Sequence, residues 1–220
     1  MNVLVIAPHA DDEVLGCGGS IAKHVASGDN VYVAIVSEVA PPIWPCEVVD
    51  EIRKECENAT SCLGVKKVIR MGFQVVALES VPRVEFTGVF IRLIQEIKPE
   101  VVYIPHRGDM QIDHKVTADV AMVALRPKYA HRVRRIYAYE VMSETGWDAP
   151  NATNEFIPNV YNDISDYIGK KIEALSCYKS QIVDFPGTRS LKAVEALATF
   201  RGTVVGVAAA EAFVLIREIQ

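Results

Sequence analysis

The stretch Val3-Leu4-Val5-Ile6-Ala7-Pro8-His9-Ala10-Asp11-Asp12-Glu13 decides the fold. Its opening residues are apolar and rich in β-branched side chains, as in a strand buried on both faces of a parallel sheet. A polar exit interrupts the run. Helical spacing then follows from about Val14 to Ser27, with Gly28 placed to end it. Strand, polar turn and helix in that order make the first half of a βαβ unit.

The pattern repeats outward from there. Strands are expected at Val31–Val36, Lys67–Met71, Val101–Ile104 and Ile136–Val141. Helices are expected between them at Val48–Leu63, stopped by Gly64, at Val84–Ile97, stopped before Pro99, and at Lys115–Leu125. A repeat of roughly 30 residues implies right-handed crossovers and helices on both sheet faces. The fold class is therefore α/β, a three-layer Rossmann-like sandwich with a mostly parallel sheet. Residues 144–162, with Gly146, Pro150, Asn151, Asn154 and Pro158, read as an irregular excursion. Helices at Ile164–Tyr178 and Leu191–Thr199 and a late strand at Ala212–Ile219 complete the chain, and all 220 residues suit one domain.

Half of the residues are hydrophobic and 23% are charged, enough for a sizeable core. The net charge of -5 argues against a nucleic-acid partner, and the basic run Arg132, Arg134, Arg135 is too short to reverse that. Cysteines 17, 46, 56, 62 and 177 form no C-x-x-C pair, and the opening apolar run is too short for a signal peptide, so a reduced cytoplasmic protein is expected. No apolar run reaches the ~20 residues of a membrane span.

Two strand exits stand out for polarity. One is His9-Ala10-Asp11-Asp12-Glu13; the other runs from His106 to Asp113-His114. In a sheet ordered 3-2-1-4-5 these exits face one crevice at the switch point. His9, Asp12 and His114 would then make a two-imidazole, one-carboxylate set suited to zinc with an open position for water. Asp11 is left over as a carboxylate able to take a proton from that water. Glu13 reads as a first-turn helix acid, and Trp44 and Trp147 fall in loops that could edge the crevice.

With those residues in place, the chain resembles the PIG-L/LmbE-like deacetylase family. Its A-H-P-D-D-E hallmark stands here as Pro8-His9-Ala10-Asp11-Asp12-Glu13, and Leu15-Gly16-Cys17-Gly18-Gly19 is similar to its glycine-rich helix opening. Arg53, Glu55, Ala59, Leu63 and Gly64, then Lys171 through Ser180-Gln181, then Arg201-Gly202 and Glu211-Ala212-Phe213 carry the resemblance through the chain. The resemblance implies an LmbE-like fold, Zn2+ on His9, Asp12 and His114, and Asp11 as general base. It further implies hydrolysis of an N-acetyl amide, most often on a glucosamine unit, and a homo-oligomer, trimer or hexamer. By the same token Arg53 binds substrate, with an ion pair to Glu57 as the plainer reading. Asp113 orients a neighbour by hydrogen bond, or else caps the next helix.

One departure matters. The family writes H-x-D-H where this chain has Gln111-Ile112-Asp113-His114. Gln111 can donate to an oxyanion but cannot ionise. Asp11 would then return the proton to the leaving amine, with His106 as a substitute carrier. An amidase on a non-sugar amide, or a metal-binding module without turnover, is the alternative. A receiver domain lacks its third Asp, since that strand exit reads Met71-Gly72-Phe73-Gln74. A dinucleotide-binding domain would need glycines where Asp11, Asp12 and Glu13 stand.

Overall fold

The computed structural model, covering residues 1–220, has thirteen main elements. They are β1 (Asn2–Ala7), α1 (Asp12–Ala26), β2 (Asn30–Glu38), α2 (Cys46–Cys62), β3 (Lys67–Gln74), α3 (Arg83–Ile97), β4 (Val101–Pro105), α4 (Ile112–Ala124), β5 (Arg135–Tyr139), β6 (Val160–Asp163), α5 (Ile168–Leu175), α6 (Leu191–Val205) and β7 (Ala210–Glu218). A 3-10 turn at Leu78–Ser80 precedes α3.

All seven strands form one sheet in the order β3-β2-β1-β4-β5-β7-β6. The first five run parallel, in the 3-2-1-4-5 order assumed for the crevice, while β7 pairs antiparallel with both β5 and β6. Strand periodicity divides the core in two. Val3, Val5 and Ala7 pack with residues of α1, α2, α5 and α6, whereas Leu4 and Ile6 pack with α3 and α4. Alternate side chains of a strand point to opposite faces, so one strand feeds both layers.

Several boundaries differ from the sequence reading. The excursion at 144–162 is not irregular throughout, because Val160–Asp163 adds edge strand β6 to β7. Four residues are too few to show alternation. Helix α4 starts at Ile112, not Lys115, because Gln111 caps it: its Oε1 accepts from the Asp113 amide at 2.8 Å. Helix α5 is shorter than expected, and α6 continues to Val205, where Gly206 takes φ +78.

Gly16 shows how tightly α1 sits on the sheet. A Cβ there would lie 2.2 Å from the Tyr139 ring, which passes beneath the helix. That passage lets the Tyr139 hydroxyl donate to the Ile6 carbonyl at 2.8 Å, at the end of β1.

Candidate metal centre and cavity

The parallel topology places the ends of β1 and β4 side by side, so the two polar exits meet. One donor atom each from His9, Asp12 and His114 lies within 4.8 Å of the others. Asp12 Oδ2 stands 3.2 Å from His9 Nδ1 and 3.2 Å from His114 Nε2. Donors bonded at ~2.1 Å to one tetrahedral ion are separated by ~3.4 Å, so these spacings suit a shared cation.

Outer carboxylates decide which nitrogen each ring presents. His114 Nδ1 is 2.8 Å from Asp109 Oδ2, and His9 Nε2 is 3.2 Å from Asp113 Oδ2. A carboxylate only accepts, so those nitrogens carry protons, and the opposite nitrogens, which face Asp12, are the ones a cation would engage. His114 Nε2 and Asp12 Oδ1 are buried without a hydrogen-bond partner. Unpartnered buried donors and acceptors are costly, and a divalent cation would satisfy them together. The residues present therefore fit the metal that the donor set implies. Burial opposes charge on Asp12, yet His114 and His9 pull it well below the ordinary carboxylate range.

Asp11 lies beside this cluster in an unusual backbone state, with φ +119. Glu13 Oε2 accepts from the Asp11 amide at 3.1 Å, and the Tyr178 hydroxyl donates to the other Glu13 oxygen. Glu13, expected as a helix-start acid, is in the first turn of α1 but buried, where it fixes the backbone of Asp11. Neither Asp11 carboxylate oxygen has a hydrogen-bond partner. Burial and the neighbouring Asp12 raise its pKa to about 8, against the pull of Arg189. Arg189 Nε stands 3.5 Å from Asp11 Oδ2, an ion pair longer than a hydrogen bond.

A cavity of about 210 Å3 opens onto the cluster, lined among others by His9, Asp11, Gln111, Arg53, Arg70, Gln181 and Arg189. Gln111 Nε2 lies 3.3 Å from His9 Nε2. That nitrogen donates to Asp113, so it does not also accept from Gln111, which lines the cavity. Arg53 does not pair with Glu57. Its guanidinium grips Glu38 at 3.0 and 3.2 Å, and Glu57 pairs with Arg70 instead. Asp113 does not cap α4; its oxygens accept from the Val76 and Leu78 amides at 2.7 and 3.3 Å.

His106 does not line this cavity. Its Nε2 is 3.1 Å from the Asn154 carbonyl, and its ring meets Phe156 edge-on. Trp44 and Trp147 do not line it either, and Trp147 is exposed. Sequence reading misses Arg189 and the outer role of Asp109. Arg189 lies between α5 and α6 in a loop without periodicity; Asp109 is visible only as part of a polar string. Glu55 holds the start of that loop, accepting from the Ser180 amide at 2.8 Å and its hydroxyl at 2.6 Å.

The family model for PIG-L, GlcNAc-PI de-N-acetylase, matches residues 4–125. A curated relative, a probable N-acetyl-alpha-D-glucosaminyl L-malate deacetylase 2 of Bacillus anthracis, is 29% identical over 190 residues, 82% of this chain and 81% of its own. The crystal structure of conserved protein TT1542 from Thermus thermophilus superposes with a TM-score of 0.80 at 27% identity, over 99% of this chain and 96% of that one. The 4-carboxy-2-hydroxymuconate hydratase GalB of Pseudomonas putida KT2440 shares the fold at TM-score 0.77 and 18% identity, over 100% and 97% of the two chains.

Proposed function

Because this chain belongs to the PIG-L, GlcNAc-PI de-N-acetylase family, we propose that it is an N-deacetylase. It hydrolyses the N-acetyl amide of an amino sugar or sugar conjugate, giving acetate and a free amine. The observation that carries this reading is the convergence of His9 Nδ1, Asp12 and His114 Nε2 beside an unpartnered, buried Asp11.

His9, Asp12 and His114 would hold a divalent cation, zinc by donor type, and its chemistry when bound is Lewis acidity toward the acyl carbonyl and toward water. Asp11 takes the proton from the attacking water. Its raised pKa suits a group that accepts a proton and later gives it up. The water oxygen bonds to the acyl carbon, the C–N bond breaks, and Asp11 delivers the proton to the departing nitrogen. Gln111 offers its N–H groups to the oxygen where negative charge develops; such a donor is typically worth ~3 kcal/mol. Glu13 and Tyr178 keep Asp11 in place, and Asp109 and Asp113 keep the imidazoles oriented. Arg53 and its Glu38 partner form a polar wall for sugar hydroxyls.

Gln111 favours a second reading, because the chain lacks an ionisable group at that position. The same site could serve a non-sugar amide, or bind metal without turnover. A screen separates these outcomes. Metal content is measured on purified protein, and acetate release is followed on free, nucleotide-linked and aglycone-linked N-acetylglucosamine and on simple acetamides. Release from the sugars, abolished by a chelator and restored by zinc, is expected. Release only from non-sugar amides, or bound metal with no release, would move the assignment to the second reading.

No helix is long and apolar enough to cross a membrane. A sugar substrate free in water, or one whose head group leaves a membrane, would therefore meet the cavity from the aqueous side.

A further inference from the structure

Three arginines line the cavity, and two of them are bonded to carboxylates. Arg53 donates to both Glu38 oxygens at 3.0 and 3.2 Å, and Arg70 pairs with Glu38 and Glu57 at 3.3 Å each. Arg189 differs. Its contacts are Asp11 Oδ2, 3.5 Å from Nε, and Glu144 Oε1, 3.9 Å from a terminal nitrogen. Both lie beyond ordinary hydrogen-bond length. Nε is buried without a hydrogen-bond partner, as are both Asp11 oxygens. A guanidinium offers five N–H donors, and a buried donor left unpaired is costly. Two carboxylates thus balance the charge of Arg189 at long range and leave its donors unused.

The backbone holds Arg189 in that place. The Gly187 amide donates to the Asp184 carbonyl at 2.9 Å, and the Ser190 amide to the Gly187 carbonyl at 3.0 Å. Ser190, the next residue, is buried and caps α6: its hydroxyl oxygen accepts from the Ala193 amide at 3.2 Å. At the other end of the loop Glu55 grips Ser180. Arg189 therefore sits one residue before a capped helix, on backbone tied down at both ends.

Position and charge then give it a role. To take the proton of the attacking water, Asp11 must stand ~2.6–3.2 Å from that oxygen. The attacking oxygen and the acyl oxygen become substituents of one carbon in the tetrahedral adduct. A donor on the cavity wall beside Asp11 is therefore close to the atom on which negative charge develops. Gln111 also lines the cavity but is neutral. Among the cavity arginines, Arg189 is the one whose charge is not bonded to Glu38.

We infer that Arg189 is a catalytic residue of this site, donating to the acyl oxygen of the substrate as that oxygen becomes anionic. The inference rests on the deacetylase reading above and adds a residue to it. As the water oxygen bonds to the acyl carbon and Asp11 takes its proton, the carbonyl π pair moves onto the acyl oxygen, and the guanidinium donates to it. When the C–N bond breaks, that pair re-forms the carbonyl of acetic acid. The bonding electrons leave with the nitrogen, which receives the proton held by Asp11. Arg189 itself gives up no proton.

The test pairs turnover with binding on the zinc-loaded protein. Arg189→Met removes the charge and the donors and keeps the apolar stem. It is expected to lower kcat for acetate release ~100–1,000-fold, as loss of an oxyanion donor does, with KM nearly unchanged. The methylphosphonamide of methyl glucosaminide carries an anionic oxygen on tetrahedral phosphorus. Calorimetry is expected to show the variant binding it ~100-fold more weakly than wild type does. Binding of methyl glucosaminide itself, which lacks that oxygen, should not change. Arg189→Lys, which keeps a charge without the planar fork, should lie between the two. The loss of analogue affinity is expected to persist in an Asp11→Asn background, where a residue that merely steadied the Asp11 carboxylate has nothing left to steady. An unchanged kcat would overturn the assignment. So would a raised KM with kcat intact, or an analogue loss that disappears in the Asp11→Asn background. Wild-type release matched by Arg189→Met removes Arg189 alone. No release by wild type from any N-acetyl amide sinks the deacetylase reading, and this assignment with it.

Discussion

Asp109 Oδ2 lies 2.8 Å from His114 Nδ1, with both side chains buried. The carboxylate accepts a hydrogen bond from Nδ1–H, and Nε2 faces Asp12. Thr145 donates to the other Asp109 oxygen at 2.6 Å, which fixes the carboxylate plane. Outer partners of this kind set the tautomer and basicity of a ligand imidazole, and their loss typically weakens metal binding ~10–100-fold. Asp109→Ala is therefore expected to bind zinc ~10–100-fold more weakly than wild type in chelator competition. Its far-UV circular dichroism should be unchanged. Equal affinity would show that Asp109 does not orient a ligand.

Asp11 tests the chemistry apart from the metal. Asparagine has the same shape and tolerates a positive φ, so Asp11→Asn should keep the backbone turn. It cannot accept the water proton, and a positioned general base contributes ~100- to 10,000-fold. The variant is expected to carry as much zinc as wild type by elemental analysis and to release acetate ~1,000-fold more slowly. Turnover near the wild-type rate would remove Asp11 from the role.

Six strands were legible, including the late one expected at Ala212–Ile219 and found at Ala210–Glu218, and β6 was not, for a physical reason. Strands such as Val3–Ala7 and Val101–Pro105 are buried on both faces, and each precedes a helix with its own stop signal. Edge strand β6 is half exposed and reads Val-Tyr-Asn-Asp, so neither apolar continuity nor alternation marks it. The same contrast holds at the site. His9, Asp12 and His114 lie beside parallel strand ends whose adjacency follows from strand order, and the structure brings them together. Arg189 reaches Asp11 from a loop whose path depends on Glu55 gripping Ser180, a tertiary contact with no local signature. Helical spacing sets Arg53 against Glu57, four residues along its own helix, but Glu38 at the end of β2 is the stronger partner because it meets the guanidinium with both oxygens.

A buried ion pair lies outside the cavity. Lys171 Nζ lies 2.6 Å from Glu211 Oε1, and each side chain is 4% exposed. Lys171 also donates to the Leu15 carbonyl at 2.8 Å, while Glu211 accepts from the Gly19 and Ser20 amides at 2.9 and 2.7 Å. The pair thus joins α5 and β7 to the middle of α1. Removing one partner leaves the other charged and buried, which typically costs ~3–5 kcal/mol. Lys171→Met is expected to lose about that much in urea unfolding. Adding Glu211→Gln should recover part of it, because the stranded charge is gone. A loss below ~1 kcal/mol would mean that the two backbone amides suffice for Glu211.

Gly16 links stability to the site through packing alone. An added Cβ would stand 2.2 Å from the Tyr139 ring, and that ring cannot withdraw without breaking its hydroxyl bond to the Ile6 carbonyl. Either α1 lifts from the sheet or Tyr139 leaves Ile6. Overpacking of this kind typically costs ~1–3 kcal/mol. If the helix lifts, Asp12 at its first turn moves away from His114, which is anchored on α4. Gly16→Ala is therefore expected to lower both urea stability, by ~1–3 kcal/mol, and zinc affinity. Adding Tyr139→Phe should relieve part of both losses, because without its hydroxyl bond to Ile6 the ring is free to shift away from the helix. Gly16→Ala with wild-type stability would show that the gap between α1 and β5 is wider than these contacts require.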